Sequence, residues 1–176
     1  VIGSRISLGV GFTAVFIGTV IGASLGIVSG YFRGKTDLVV SRAMEVVLGF
    51  PPLVLAIFIL AIFNTSKGYS FRSFLLLSFA IGVIIAPTTA RIVRGSALSI
   101  RNLQYVEAAE SIGNTSFGIM RRHVLPNVAA PILVQLALSL SGAVILEAAL
   151  SYLGLGAVPP PPSPRPLART PPASSL

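Results

Sequence analysis

The chain has 176 residues, 53% hydrophobic and only 10% charged, where a soluble domain carries about 25% charged residues; the polar surface of a soluble fold is missing, and an integral membrane protein is implied. Thirteen Lys and Arg against five Asp and Glu give +8, but no basic run is interleaved with aromatics, which argues against nucleic acid and for basic flanks of membrane spans. The absence of Cys excludes disulfides, thiol chemistry and Cys-ligated metals.

Four apolar segments follow in chain order, each long enough for the roughly 20 residues that cross a bilayer. The first runs from Ile6 to Val28 and carries no charge. Gly18, Gly22 and Gly26 in it, and Gly30 just beyond it, recur every four residues, which places small residues on one face and predicts close approach of a neighbouring helix. The second runs from Leu38 to Phe63 and contains Pro51 and Pro52; the third, Phe71 to Ala90, contains Pro87; the fourth, Val128 to Leu153, contains Pro131. Each proline removes a backbone donor and predicts a local kink or unwinding. The runs lack the alternation of a membrane barrel, so the spans are predicted as helices.

Loop charges orient the spans. Arg33 and Lys35 lie between the first and second, with Arg42 near the start of the second, and Arg91, Arg94, Arg101, Arg121 and Arg122 lie between the third and fourth. The positive-inside rule puts these two loops in the cytoplasm and both chain ends outside. No basic segment with a cleavage site opens the chain, so no signal peptide is predicted. From Ala157 the chain becomes Pro-rich, with eight of its thirteen prolines. Residues 1–156 are therefore expected to form a transmembrane domain and 157–176 an extended or disordered tail.

Isolated residues carry little chemistry. Gly34-Lys35-Thr36 ends like a phosphate-binding loop, but the first glycine is misplaced and no strand precedes it, so ATP binding by this chain is excluded. His123 is the only histidine and has no second ligand. No nucleophile elbow or acid–base carboxylate pair is present, and the chain is not expected to be an enzyme. Arg42 and Glu45 sit three apart and are predicted to pair. Glu147 is the one acid deep in a span, a position that suggests a pathway or gate role or, near the outer end, contact with interfacial water.

The most patterned segment is polar: residues 107–126, EAAESIGNTSFGIMRRHVLP. EAAESI favours helix, Gly113 a helix end, and Asn114, Thr115 or Ser116 the next N-cap. A second short helix is predicted over Phe117–Val124, ended by Leu125-Pro126-Asn127. The first helix can extend back to Arg91, continuing the third span. Ala108 and Ala109 form a smooth face for a partner's cleft, with Glu107, Arg121 and Arg122 to orient it. On these residues alone, a stand-alone channel or secondary transporter, or a non-transporting scaffold fragment, remains open.

This segment resembles the EAA loop of permease subunits of binding-protein-dependent ABC transporters. Glu107-Ala108-Ala109, Gly113, Leu125 and Pro126 stand at that motif's spacing, with His123 where the family has Ile. RRHVLPN is similar to the peptide and nickel importer subgroup, and so are Phe50-Pro51-Pro52-Leu53 and Ala149-Leu150-Ser151-Tyr152-Leu153-Gly154-Leu155-Gly156. The resemblance covers about residues 4–162. It implies an all-α type I importer permease in a bacterial inner membrane, with about four membrane helices and a helix–turn–helix coupling loop. It also implies a second permease subunit, two cytoplasmic ATPases that hold the ATP and Mg, and a periplasmic substrate-binding protein. Glu107, Ala108, Ala109, Gly113, Arg121, Leu125 and Pro126 would couple to the ATPase, and no cofactor would bind this chain. The family's first and last spans have no counterpart here, which suggests a truncated frame with an out-of-frame tail.

Overall fold

A computed structural model describes residues 2–63 and 71–156; the predicted Pro-rich tail lies outside the described residues. All elements among the described residues are helical. They are α1 (Ile2–Phe32), α2 (Gly34–Leu48), α3 (Pro52–Phe63), α4 (Phe71–Arg101), α5 (Gln104–Ser111), α6 (Ser116–Ile119), a π-helical turn (Met120–Val124) and α7 (Leu125–Tyr152). Among the described residues, three helical stretches are long and apolar enough to cross a membrane: Ser7–Phe32, Phe71–Arg101 and Ser116–Tyr152. The count rises to four if the bent pair α2–α3 is one span.

The second predicted span is not a continuous helix. α2 and α3 meet at 95°, because Pro51 and Pro52 cannot donate to the preceding turn and α2 ends at Leu48, with Gly49 capping onto Glu45 and Val46 carbonyls. The 12 residues of α3 span about 18 Å at 1.5 Å per residue, well short of the ~30 Å hydrocarbon layer. Pro87 and Pro131, by contrast, lie inside unbroken helices. α2 buries no residue and is held to α4 by a two-pronged ion pair between Asp37 and Arg94. Arg42 pairs with Glu45 at 2.7 Å on its exposed face.

The centre of the molecule is the seam between α1 and α4. A Cβ on Gly18 would lie 2.6 Å from the Gly82 carbonyl oxygen, one on Gly26 2.6 Å from that of Ala90, and one on Gly30 2.8 Å from that of Arg94. Gly22 meets Ala86 in the same way. Position rises together on both helices, so they run parallel, with backbone against backbone from Gly18 to Gly30, a little over three turns. The facing row, Gly82, Ala86 and Ala90, also repeats every four residues, and that spacing in the sequence is the signal that would have located it. α7 runs the other way: Gly11 faces Val144 and Leu140, whereas Ile27 and Tyr31 share a core with Val124 and Val128.

Two cores result. One gathers Val10, Ala14, Leu77, Ile81, Ala143 and Leu150, with Ala56 and Leu60 of α3. The other, at the end rich in Arg, gathers Tyr31, Val93, Ala97, Val106, Ala109 and Ile119. The second ties α5 and α6 to the ends of α1 and α4.

Candidate functional site: a helix–turn–helix at the basic end

α4 runs past the predicted end of the third span to Arg101 and then stops. Asn102 and Leu103 turn back onto Ser99 and Ile100 carbonyls, so α5 is a separate helix and not a continuation of the span. Its eight residues place Val106 and Ala109 inward, buried in the basic-end core. Glu107 and Ala108 face outward, while the Glu110 carboxylate, partly exposed, turns to Tyr31 and Arg101. The smooth alanine face is thus divided: Ala109 packs against the chain's own core, and only Ala108 remains on the surface beside Glu107.

α5 ends in a paired carbonyl cap. The Asn114 amide donates to the Ala109 carbonyl at 3.2 Å and the Gly113 amide to that of Glu110 at 3.0 Å, the two-bond closure that requires a left-handed residue after the helix. Gly113 supplies it, with φ +83°. Two residues on, the Thr115 hydroxyl accepts the Gly118 amide at 3.2 Å and starts α6. Of the three candidate caps, Thr115 is the one used.

Ile112 and Phe117 flank this turn and project outward, 81% and 71% exposed. The turn therefore presents two large apolar side chains with Glu107 and Ala108 on one side and Arg121, also exposed, on the other. Sequence reasoning does not single out Ile112 or Phe117. Their exposure depends on which face of α5 the core claims, and the available signal is their position on either side of a helix stop.

The second short helix does not end at Leu125-Pro126-Asn127. Helix continues from Ser116 to Tyr152, because the chain widens where proline removes a donor. Pro126 leaves the Arg122 carbonyl without its usual partner four residues on. The backbone responds with a π turn in which the Leu125 amide reaches the Met120 carbonyl, five residues back. The Asn127 side chain donates to the His123 carbonyl at 2.6 Å and to the Tyr105 hydroxyl at 3.3 Å. His123 packs against the Tyr105 ring, centroids 5.8 Å apart. Leu125 and Pro126 lie exposed at the start of α7.

Glu147 sits elsewhere. It is 2% exposed, on the α7 face shared with Ala143 and Leu150, so burial replaces the expected contact with interfacial water. A cavity of about 500 Å³ opens instead between the α2–α3 bend, α4 and the neighbouring face of α7, with Phe50, Pro52, Thr88, Gln135 and Ser139 among its walls. Glu147 is not part of that lining.

The profile of the family described as "Binding-protein-dependent transport system inner membrane component" matches residues 10–163. The chain belongs to this family. Its relatives include a glutathione transport system permease protein of Pectobacterium atrosepticum, 36% identical over 160 residues, 91% of this chain and 51% of the relative. A dipeptide transport system permease protein of Alkalihalophilus pseudofirmus is 39% identical, over 92% of this chain and 51% of its own length. An oligopeptide transport system permease protein of Haemophilus influenzae is 38% identical, over 90% and 49%. The chain spans about half the length of these curated relatives. A crystal structure of an amino acid ABC transporter with histidines shares the fold, with a TM-score of 0.57 and 24% identity over 87% of this chain and 71% of its own. As a member of the permease family, the chain is an all-α membrane protein whose Glu107–Pro126 segment occupies the basic end of a helical bundle.

Proposed function

We propose that this chain is a permease subunit of an ATP-driven importer for peptides, working with a second permease subunit, two cytoplasmic ATPases and an extracytoplasmic binding protein. ATP and Mg belong to the ATPases. The observation that carries the reading is the outward-facing turn at Gly113. Ile112 and Phe117 stand exposed on a segment otherwise anchored in the core, the arrangement expected of a knob that enters a groove on a soluble partner. Glu107 and Arg121 on its flanks would set its orientation. The substrate class follows the names of the relatives, which transport glutathione, dipeptides and oligopeptides. Nickel, which the sequence motifs also admit, is the alternative substrate.

The reading is tested by co-purification of the ATPase from membranes that express this chain with its partner subunits. Glu107→Lys reverses a charge on the exposed face. Gly113→Pro forces φ near −65° where the chain has +83°. Each is expected to release the ATPase while the permease stays in the membrane. Retention of the ATPase by both variants would sink the proposal.

A further inference from the structure

Three side chains from three different helices meet where α1, α4 and α5 end. Tyr31, one residue before the end of α1, is 2% exposed, and a buried phenol needs a partner for its hydroxyl. It donates to Glu110 Oε1 of α5 at 2.9 Å. Arg101, the last residue of α4, touches both. Its Nη1 donates to the Tyr31 carbonyl at 2.8 Å, its Nη2 lies 3.3 Å from Glu110 Oε1, and its guanidinium carbon stands 4.8 Å from the centre of the Tyr31 ring. Arg101 thus satisfies a carbonyl that the end of α1 leaves open, and it does so with the same group that holds Glu110.

The other attachment of the helix–turn–helix is different in kind. It enters α7 through the π turn, with one short side-chain bond from Asn127 and wider helical geometry. π turns are rare, occur as single-turn bulges inside α-helices and are frequent at functional sites. One end is clasped by charge and hydrogen bonds; the other is joined through a widened turn.

We propose that Tyr31, Arg101 and Glu110 are positioning residues that fasten α5 to the joined ends of α1 and α4. Displacement of the exposed turn then moves the α1–α4 pair as one body, and the π turn absorbs the difference at α7. The proposal rests on the coupling role given above to this segment. It adds which membrane helices receive the motion and which residues hand it over.

The chain has no Cys, so spin labels can be placed at Ser99→Cys on α4, Ser111→Cys on α5 and Ala130→Cys on α7 in a transporter assembled with Cys-free partner subunits. In the parent chain, the 99–111 distance is expected to stay narrow and constant with and without nucleotide, while the 111–130 distance shifts. Tyr31→Phe or Glu110→Gln should broaden the 99–111 distribution before nucleotide is added. Each should also lower transport per ATP hydrolysed about tenfold, the scale of a single coupling energy, with the ATPase still bound. Should Glu110→Gln fail to assemble, Tyr31→Phe, which removes one hydroxyl, carries the test. An unchanged 99–111 width in the variants overturns the clasp, as does a proportional fall of transport and hydrolysis. A parent 111–130 distance indifferent to nucleotide instead refutes the coupling role, and the variant widths still decide whether the clasp exists.

Discussion

α1 and α7 are both long, apolar and crossed by small residues, yet they are packed in opposite ways. Inside the chain, 56% of the most apolar window of α1 is buried, against 11% for the span that contains α7. α1 buries its glycine face against α4, with carbonyl oxygens where side chains would otherwise stand. On α7, a Cβ added to Gly142 would meet nothing within 4 Å, and Leu133, Val134, Leu138 and Ile145 are all more than 60% exposed. Lipid is as apolar as Leu, so packing in a membrane depends on close backbone approach more than on exclusion of water. The α1–α4 pair meets that condition within one chain. α7 leaves its surface to lipid or to another subunit.

The same substitution at the two places separates them. Gly26→Ala would place a methyl 2.6 Å from the Ala90 oxygen and 2.9 Å from Val93 Cβ. Backbone must move to admit it, at a cost of about 1–3 kcal/mol. Gly142→Ala meets open space and removes a flexible residue from a helix, worth a gain of about 0.5 kcal/mol. Denaturant unfolding of the purified chain in mixed micelles would compare them. Equal effects would mean that the seam is not the tight contact described.

A second contrast lies between steric and conformational constraint. At Gly113, as at Gly142, an added Cβ would have no neighbour within 4 Å, but the φ of Gly113 is +83°. Gly113→Ala therefore costs roughly 1 kcal/mol from backbone strain alone, with no clash to relieve. The loss should be local. Hydrogen exchange is expected to quicken at the Gly113 and Asn114 amides, which close α5, and to stay unchanged along the α1–α4 seam. Faster exchange on the seam as well would show that the turn and the seam are one cooperative unit.

What the sequence revealed of this arrangement follows from the range over which each feature is set. The apolar runs, the glycine row of α1, the helix stop at Gly113 and the cap after it are local, and each is readable within about ten residues. Phe50-Pro51-Pro52 announced a break, but not the 95° turn, because the angle depends on how α3 packs against Leu77 and Ile81. The clasp of Tyr31, Arg101 and Glu110 joins positions 70 and 79 residues apart along the chain. No local pattern encodes it; it follows from α1 and α4 running parallel and ending level. The continuity of α6 into α7 was hidden by Pro126. A proline normally ends a helix, and a π turn that carries the helix past it has no composition of its own.

That π turn is where the contrast between seam and α7 reaches the surface loop, and the smallest expected effect probes it. Asn127 holds the widened turn through the 2.6 Å bond to the His123 carbonyl and reaches the Tyr105 hydroxyl on α5. Asn127→Ala removes both bonds from an exposed position, so water replaces them and the cost falls at about 0.5–1 kcal/mol. The seam shares a core with Val124 but takes part in neither bond, so its exchange protection should not change. The amides of Met120–Leu125 should exchange faster, and the Tyr105 ring should lose its fixed contact with His123. If Asn127→Ala leaves exchange across Met120–Leu125 as it was, the missing proline donor alone sustains the π geometry, and the attachment of the loop to α7 is a property of the backbone with no contribution from the asparagine clasp.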